Sequence, residues 1–169
     1  VLALFLAAPL TANAGVVLGL DAGMTYTAAQ EQPTAFGGGV GLHIGHTTPS
    51  LDVVTIVPEV SLRYHTVERP DARRQVVGVT GGARVVVTPV GEGYGEPGAR
   101  FDITAVGHLG AGNIDTDFAD WALSADGSVG VGFGYGPLEV GVFAGVCHLG
   151  STHAARRAFA WGTAGGDVS

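Results

Sequence analysis

Residues 121–135 read Trp-Ala-Leu-Ser-Ala-Asp-Gly-Ser-Val-Gly-Val-Gly-Phe-Gly-Tyr. Side chains alternate across a β-strand, so Trp121, Leu123, Ala125, Val129, Val131, Phe133 and Tyr135 share one face. Ser124, Asp126, Ser128, Gly130, Gly132 and Gly134 share the other. One face is wholly apolar. The opposite face mixes glycine, serine and a carboxylate, which cannot make a hydrophobic core. A strand of this composition needs a second apolar solvent, and the apolar face is the one that meets it.

The same alternation recurs along the chain. Val16, Leu18, Leu20, Ala22, Met24 and Tyr26 oppose Val17, Gly19, Asp21, Gly23 and Thr25, and Phe36, Val40, Leu42 and Ile44 oppose Gly37, Gly39, Gly41, His43 and Gly45. Val54, Ile56, Val60, Leu62 and Tyr64 oppose Thr55, Glu59, Ser61, Arg63 and His65. Val77, Val79, Ala83, Val85 and Val87 oppose Gly78, Thr80, Gly82 and Arg84, while Phe101, Ile103, Ala105 and Leu109 oppose Asp102, Thr104, His108 and Gly110. Leu138, Val140, Val142, Ala144 and Val146 oppose Glu139, Gly141, Gly145 and Cys147. An eighth segment opens near Phe159 and Trp161 and runs to the end of the chain. In a soluble ligand-binding barrel the apolar set would line the lumen and charge would coat the exterior. Here the apolar sets carry no charge, and the polar sets are too small and too ionic to supply the burial a soluble domain needs. With lipid outside, sheet edges must also close, because unpaired backbone groups in hydrocarbon are costly. The reading is all-β: an eight-stranded antiparallel up-and-down transmembrane β-barrel.

Composition agrees. The 169 residues suit one domain, with 29 glycines, only 14% charged residues, no lysine among the 8 basic residues and a mean hydropathy of +0.34. The net charge of −7 argues against a nucleic-acid partner, which requires a basic face. Cys147 is the single cysteine, so no intrachain disulfide or thiolate cluster is available. Val1–Leu10 reads as the apolar region of a secretory signal, with Ala12-Asn13-Ala14 as the small residues before cleavage. Residues 1–14 are therefore expected to be a removed signal remnant and 15–169 the barrel. A transmembrane helix over 1–20 is the poorer reading, since Pro9, Thr11 and Asn13 interrupt the run.

Aromatics and turns complete the topology. Tyr26, Phe36, Tyr64, Trp121, Phe159 and Trp161 fall at strand ends on one side and Phe101, Phe133 and Tyr135 on the other, as two interfacial girdles would require. Tyr135-Gly136-Pro137-Leu138 and Thr48-Pro49-Ser50 are short connections on the side where the barrel starts, and Pro89–Ala99 is a longer one. Gln30–Thr34, Glu68–Arg74, Asn113–Asp120 and Ser151–Arg157 form polar loops on the other side. On this pattern the chain, over 15–169, resembles the small bacterial outer-membrane barrels of the OmpA-barrel and OmpX kind. The resemblance implies an outer-membrane location, a monomer, contact with outer-membrane lipid and lipopolysaccharide, and insertion by the barrel-assembly machinery. Such barrels end on an aromatic residue that this machinery reads. Here Gly166-Asp167-Val168-Ser169 stands instead, and the expectation is that the last strand is incomplete.

The inward set gathers Asp21, Glu59, Arg63, Arg84, Asp102, His108, Asp126 and Glu139, with His43 and His65. Charges in a lumen must pair or be hydrated, so an internal salt-bridge network is expected, with Arg63 and Arg84 each bridging carboxylates. Five carboxylates against two arginines imply that protonated histidine, water or a cation shares the load. A pore or proton path is the competing reading, kept open by the many inward glycines, although eight strands leave a lumen about as wide as its side chains. His148, with Ser151 and His153, offers a base and a hydroxyl for a lipid-modifying hydrolase. The spacing fits no nucleophile elbow and no acid orients the histidine. Asn113–Asp120 offers oxygen ligands for Ca²⁺ but lacks the glycine and terminal glutamate of a calcium loop. A solvated acidic loop is the better account, so neither metal nor cofactor is expected. Arg69, Arg73, Arg74, Arg156 and Arg157 cluster outward, where guanidinium forks suit lipopolysaccharide phosphates. The function these observations favour is a structural or surface-interaction role carried by extracellular loops, with a porin-like channel and a lipid hydrolase as rivals.

Overall fold

The computed structural model describes residues 15–27, 35–68, 73–114, 121–150 and 159–169. They form eight antiparallel strands: β1 (Val16–Thr27), β2 (Ala35–His46), β3 (Val54–Glu68), β4 (Arg73–Gly91), β5 (Ala99–Ile114), β6 (Trp121–Tyr135), β7 (Leu138–Leu149) and β8 (Phe159–Val168). Each pairs with its neighbours in chain order, and β8 returns to β1 to close the barrel. Closure runs from Leu20↔Val168 to Tyr26↔Gly162, and β8 pairs along its whole length with β7. Residues 1–14, the expected signal remnant, lie outside the described residues.

The faces are as the alternation requires. Leu18, Leu20, Leu109, Leu123, Phe133 and Tyr135 point outward with 62–74% of their surface exposed. Among the described residues, no Asp, Glu or Arg faces out from β1, β2, β5, β6, β7 or β8. The ladder pairs each strand with both neighbours, leaving this aliphatic belt for lipid. Phe101 and Phe133 pack edge-to-face at 5.2 Å in one girdle. Tyr26, Phe36 and Trp121, 41–59% exposed, mark the other.

Connections 47–53, 92–98 and 136–137 share one end, here the turn end; the opposite end is the loop end. Gly136 has φ 59° and precedes Pro137, the two-residue hairpin geometry that places glycine first. The connection after β4 is shorter than Pro89–Ala99, because β4 continues to Gly91 and β5 starts at Ala99, past a bulge between Val87 and Val90. Arg73 and Arg74 also differ from expectation. They belong to β4, in register with Glu68 and Val67, and not to a loop.

One aromatic is reversed. Trp161, expected in the outward girdle with Phe159, is 4% exposed and points into the barrel. It joins Val67, Val76, Ile114, Cys147 and Leu149 in an apolar cluster that fills the lumen at the loop end. The alternation rule assigns apolar residues to the lipid side only where there is lipid. Near the rim the barrel interior can be built like an ordinary core.

Candidate functional site

The glycines of the polar face are the floor on which the large lumen side chains lie. Gly19 stands opposite His43, Gly41 opposite Asp21 and Arg63, Gly39 opposite His65, Gly82 opposite His108 and Gly134 opposite Arg100. A Cβ at Gly134 would fall 2.3 Å from the Arg100 guanidinium carbon, and one at Gly41 2.3 Å from an Asp21 oxygen. The expected free space is thus occupied by side chains from the adjacent strand. Cavities of about 10 and 30 Å³ lie around Phe143, which points inward, and another of about 10 Å³ lies between Arg63, Asp126 and Trp161. The larger has room for roughly two waters and the smaller ones for about one at most.

The residues read as inward from the sequence meet in a ring at mid-lumen. Arg84 donates through Nε to Glu59 (3.2 Å), through Nη1 to Asp167 (3.4 Å) and through Nη2 to Nε2 of His43 (3.0 Å). Glu59 continues to Nε2 of His108 at 3.0 Å, and Nδ1 of His108 faces Asp126 at 2.9 Å. Asp126 accepts from Arg63 and from the Thr80 hydroxyl (3.3 Å). Arg63 lies 4.0 Å from Asp21, and Asp21 lies 3.9 Å from Nδ1 of His43, which closes the circuit. Strands β1 to β6 and β8 all contribute a member.

Asp102 and Glu139 belong to a second cluster, nearer the turn end. Arg100 donates through Nε to Asp102 (2.7 Å) and through Nη1 to the Gly136 carbonyl (2.5 Å), while its Nη2 is 3.8 Å from Glu139. Thr88 donates to Asp102 at 2.6 Å. Tyr94, from the turn between β4 and β5, stacks over the guanidinium at 4.8 Å. Burial and the nearby Glu139 charge push the Tyr94 phenol up to about 12. A hollow of about 660 Å³, lined by Val16, Thr47, Ser50, Tyr94, Arg100 and Ser169, opens at this mouth.

Arg100 and Asp167 were missed by the sequence reading. Both sit where their strands begin or end, so the alternation was too short to assign a face. With them the arginines number three (Arg63, Arg84, Arg100) and the carboxylates six (Asp21, Glu59, Asp102, Asp126, Glu139, Asp167). His65 caps the ring beneath the apolar cluster, its imidazole edge-on to Trp161 at 5.6 Å.

Other sequence candidates fall elsewhere. His148 is exposed on the outer face of β7, flanked in register by Ala125 and Ala160, so neither cross-strand neighbour supplies a hydroxyl or carboxylate. Ser151 and His153 lie outside the described residues, as do Asp115–Asp120 of the acidic loop and Arg69, Arg156 and Arg157. Cys147 is buried in the apolar cluster.

No family model and no curated protein matches the sequence. Solved structures do match the fold. The crystal structure of Neisserial surface protein A (NspA) aligns at a TM-score of 0.58 and 12% identity over 92% of this chain and 97% of that one. The outer membrane enzyme PagL aligns at 0.51 and 11% identity over 88% and 97%. One neighbour is a surface protein and the other an enzyme, so the shared architecture does not choose an activity. The chain has the closed eight-stranded fold of the small outer-membrane β-barrels.

Proposed function

We propose that this chain is a monomeric outer-membrane barrel that conducts no solute and works through its extracellular surface. The turn end faces the periplasm and the loop end the exterior, the orientation in which outer-membrane barrels place their short turns inside. The observation that carries the reading is the filled lumen: an ionic ring at mid-height, with Val67, Val76, Ile114, Leu149 and Trp161 packed across it toward the exterior. A pore needs a continuous aqueous path, and an apolar layer above a ring of ion pairs opposes one. Function then rests on what the rim touches. Arg73 and Arg74, at the outer end of β4, supply guanidinium groups for lipopolysaccharide phosphates, and Arg69, Arg156 and Arg157, which lie outside the described residues, are proposed for the same role. Catalysis is not part of this reading, since both register neighbours of His148 are alanine.

The test is single-channel recording on the refolded full chain in planar bilayers. Absence of steady current is expected, and a reproducible open conductance refutes the reading. In parallel, lipopolysaccharide should remain with the purified barrel and be lost when Arg73 and Arg74 are both changed to Ala. Retention by that variant removes the arginine rim from the proposal. Turnover of lipid A or phospholipid that disappears in His148→Ala would replace it with the hydrolase.

A further inference from the structure

Two imidazoles in the lumen ring have their protons fixed by their partners, and fixed differently. A guanidinium can only donate, so Nε2 of His43, 3.0 Å from Nη2 of Arg84, must offer its lone pair. His43 is therefore a neutral ring with its proton on Nδ1, toward Asp21. His108 has the opposite surroundings. Nδ1 is 2.9 Å from Asp126 and Nε2 is 3.0 Å from Glu59, and an ionised carboxylate can only accept.

We infer that Glu59, His108 and Asp126 form a buried proton-binding site, in which His108 is held as an imidazolium donating from both ring nitrogens. The charged groups facing it are Glu59 and Arg63 from β3 and Asp126 from β6; behind them Thr80 and Arg84 of β4 hold the same two carboxylates, and His43 of β2 holds Arg84. Arg63 and Arg84 each spend a donor on one of the same two carboxylates, so both carboxylates stay ionised and ready to accept. Gly82, directly across from His108, leaves the ring room to lie flat between them; a Cβ there would meet the imidazole Cδ2 at 2.7 Å. The imidazolium joins the three arginines as the fourth cation set against six carboxylates. One bound proton thereby clasps β3, β5 and β6 together. Without it, one ring nitrogen would present a lone pair to a carboxylate oxygen, and a contact would become a repulsion.

The measurement is nitrogen-15 NMR of the full chain labelled at histidine, in detergent micelles at neutral pH. His108 is assigned by the signals lost in His108→Gln. Should that variant not fold, Asp126→Asn and Glu59→Gln assign it by the signals they shift. Two proton-bearing ring nitrogens on His108, and an unprotonated Nε2 on His43, are expected. A His108 ring with one unprotonated nitrogen would overturn the inference, because the proton would then sit on a carboxyl group or be absent.

Discussion

Changing Arg84 to Met keeps the length of the side chain and removes its charge from the middle of the ring. Arg84 is 5% exposed, and its guanidinium serves a fully buried carboxylate (Glu59), a mostly buried one (Asp167) and the His43 ring. In Arg84→Met, Glu59 keeps only His108, and Asp167 loses its ion-pair partner. Removing one member of a buried ion pair costs about 3–5 kcal/mol, chiefly because the survivor is stranded in a poor solvent for ions. With a urea dependence of roughly 2 kcal/mol per molar, the unfolding midpoint should fall by about 2 M. The assay is reversible urea unfolding in lipid vesicles, followed by the emission of Trp121 and Trp161. The paired change Glu59→Gln with Arg84→Met removes the stranded charge along with its partner, so it should recover at least ~1 kcal/mol of the loss. A midpoint in Arg84→Met within about 0.3 M of wild type would show that lumen water, not the ion pair, solvates Glu59. A double variant as low as the sum of its two singles would likewise remove charge stranding as the cause.

The floor glycines and the mouth tyrosine give further tests. Gly82→Ala places a Cβ 1.9 Å from the Gly107 carbonyl oxygen, whereas Gly107, facing out, has nothing within 4 Å of its own Cβ position. Gly82→Ala should abolish the mobility difference between unheated and boiled samples in SDS, and Gly107→Ala should keep it with a stability change within roughly 0.5 kcal/mol. Tyr94 has its folded value raised to about 12 from an ordinary value near 10, so its neutral form is favoured in the folded state. The stabilisation this represents is whole below about pH 10 and is lost as pH rises through the folded value. Ultraviolet titration should show tyrosinate forming near pH 12, and Tyr94→Phe should delete that step; loss of a step near pH 10 instead would put the phenol outside the mouth.

The strand count, the two faces and the inward position of Asp21, Glu59, Arg63, Arg84, His108 and Asp126 were readable because a period of two is unambiguous over ten or more residues. Who pairs with whom was not. Pairing depends on register, and a shift of one residue would exchange every cross-strand neighbour. That is why Gly41 and Gly82 read as empty space when the first lies beneath the Asp21 carboxylate and the second beside the His108 imidazole. Trp161 failed for a different reason. Its segment holds Gly162, Gly165 and Gly166, so the alternation is faint, and an aromatic near a strand end invites an interfacial assignment. Val67, Val76, Ile114 and Leu149 lie beside it at the rim, where the medium outside is no longer hydrocarbon and polarity stops reporting direction. Arg100 escaped notice beside the Gly-rich turn, where no apolar alternation leads up to it.

A barrel whose interior is a circuit of charges also constrains its own descent. In an ordinary core, substitutions drift singly, because one aliphatic side chain replaces another at small cost. In this lumen a single change strands a partner donated by a strand far along the chain: Arg63 and Asp126 lie 63 positions apart, Arg84 and Asp167 lie 83 apart. The exterior belt, asking only for apolar surface, is free to diverge. Lineages of this protein should therefore keep or exchange the ring as compensated sets, leaving correlated pairs at long sequence separation while the belt randomises. Two relatives with little identity between them would still share the bookkeeping of the lumen.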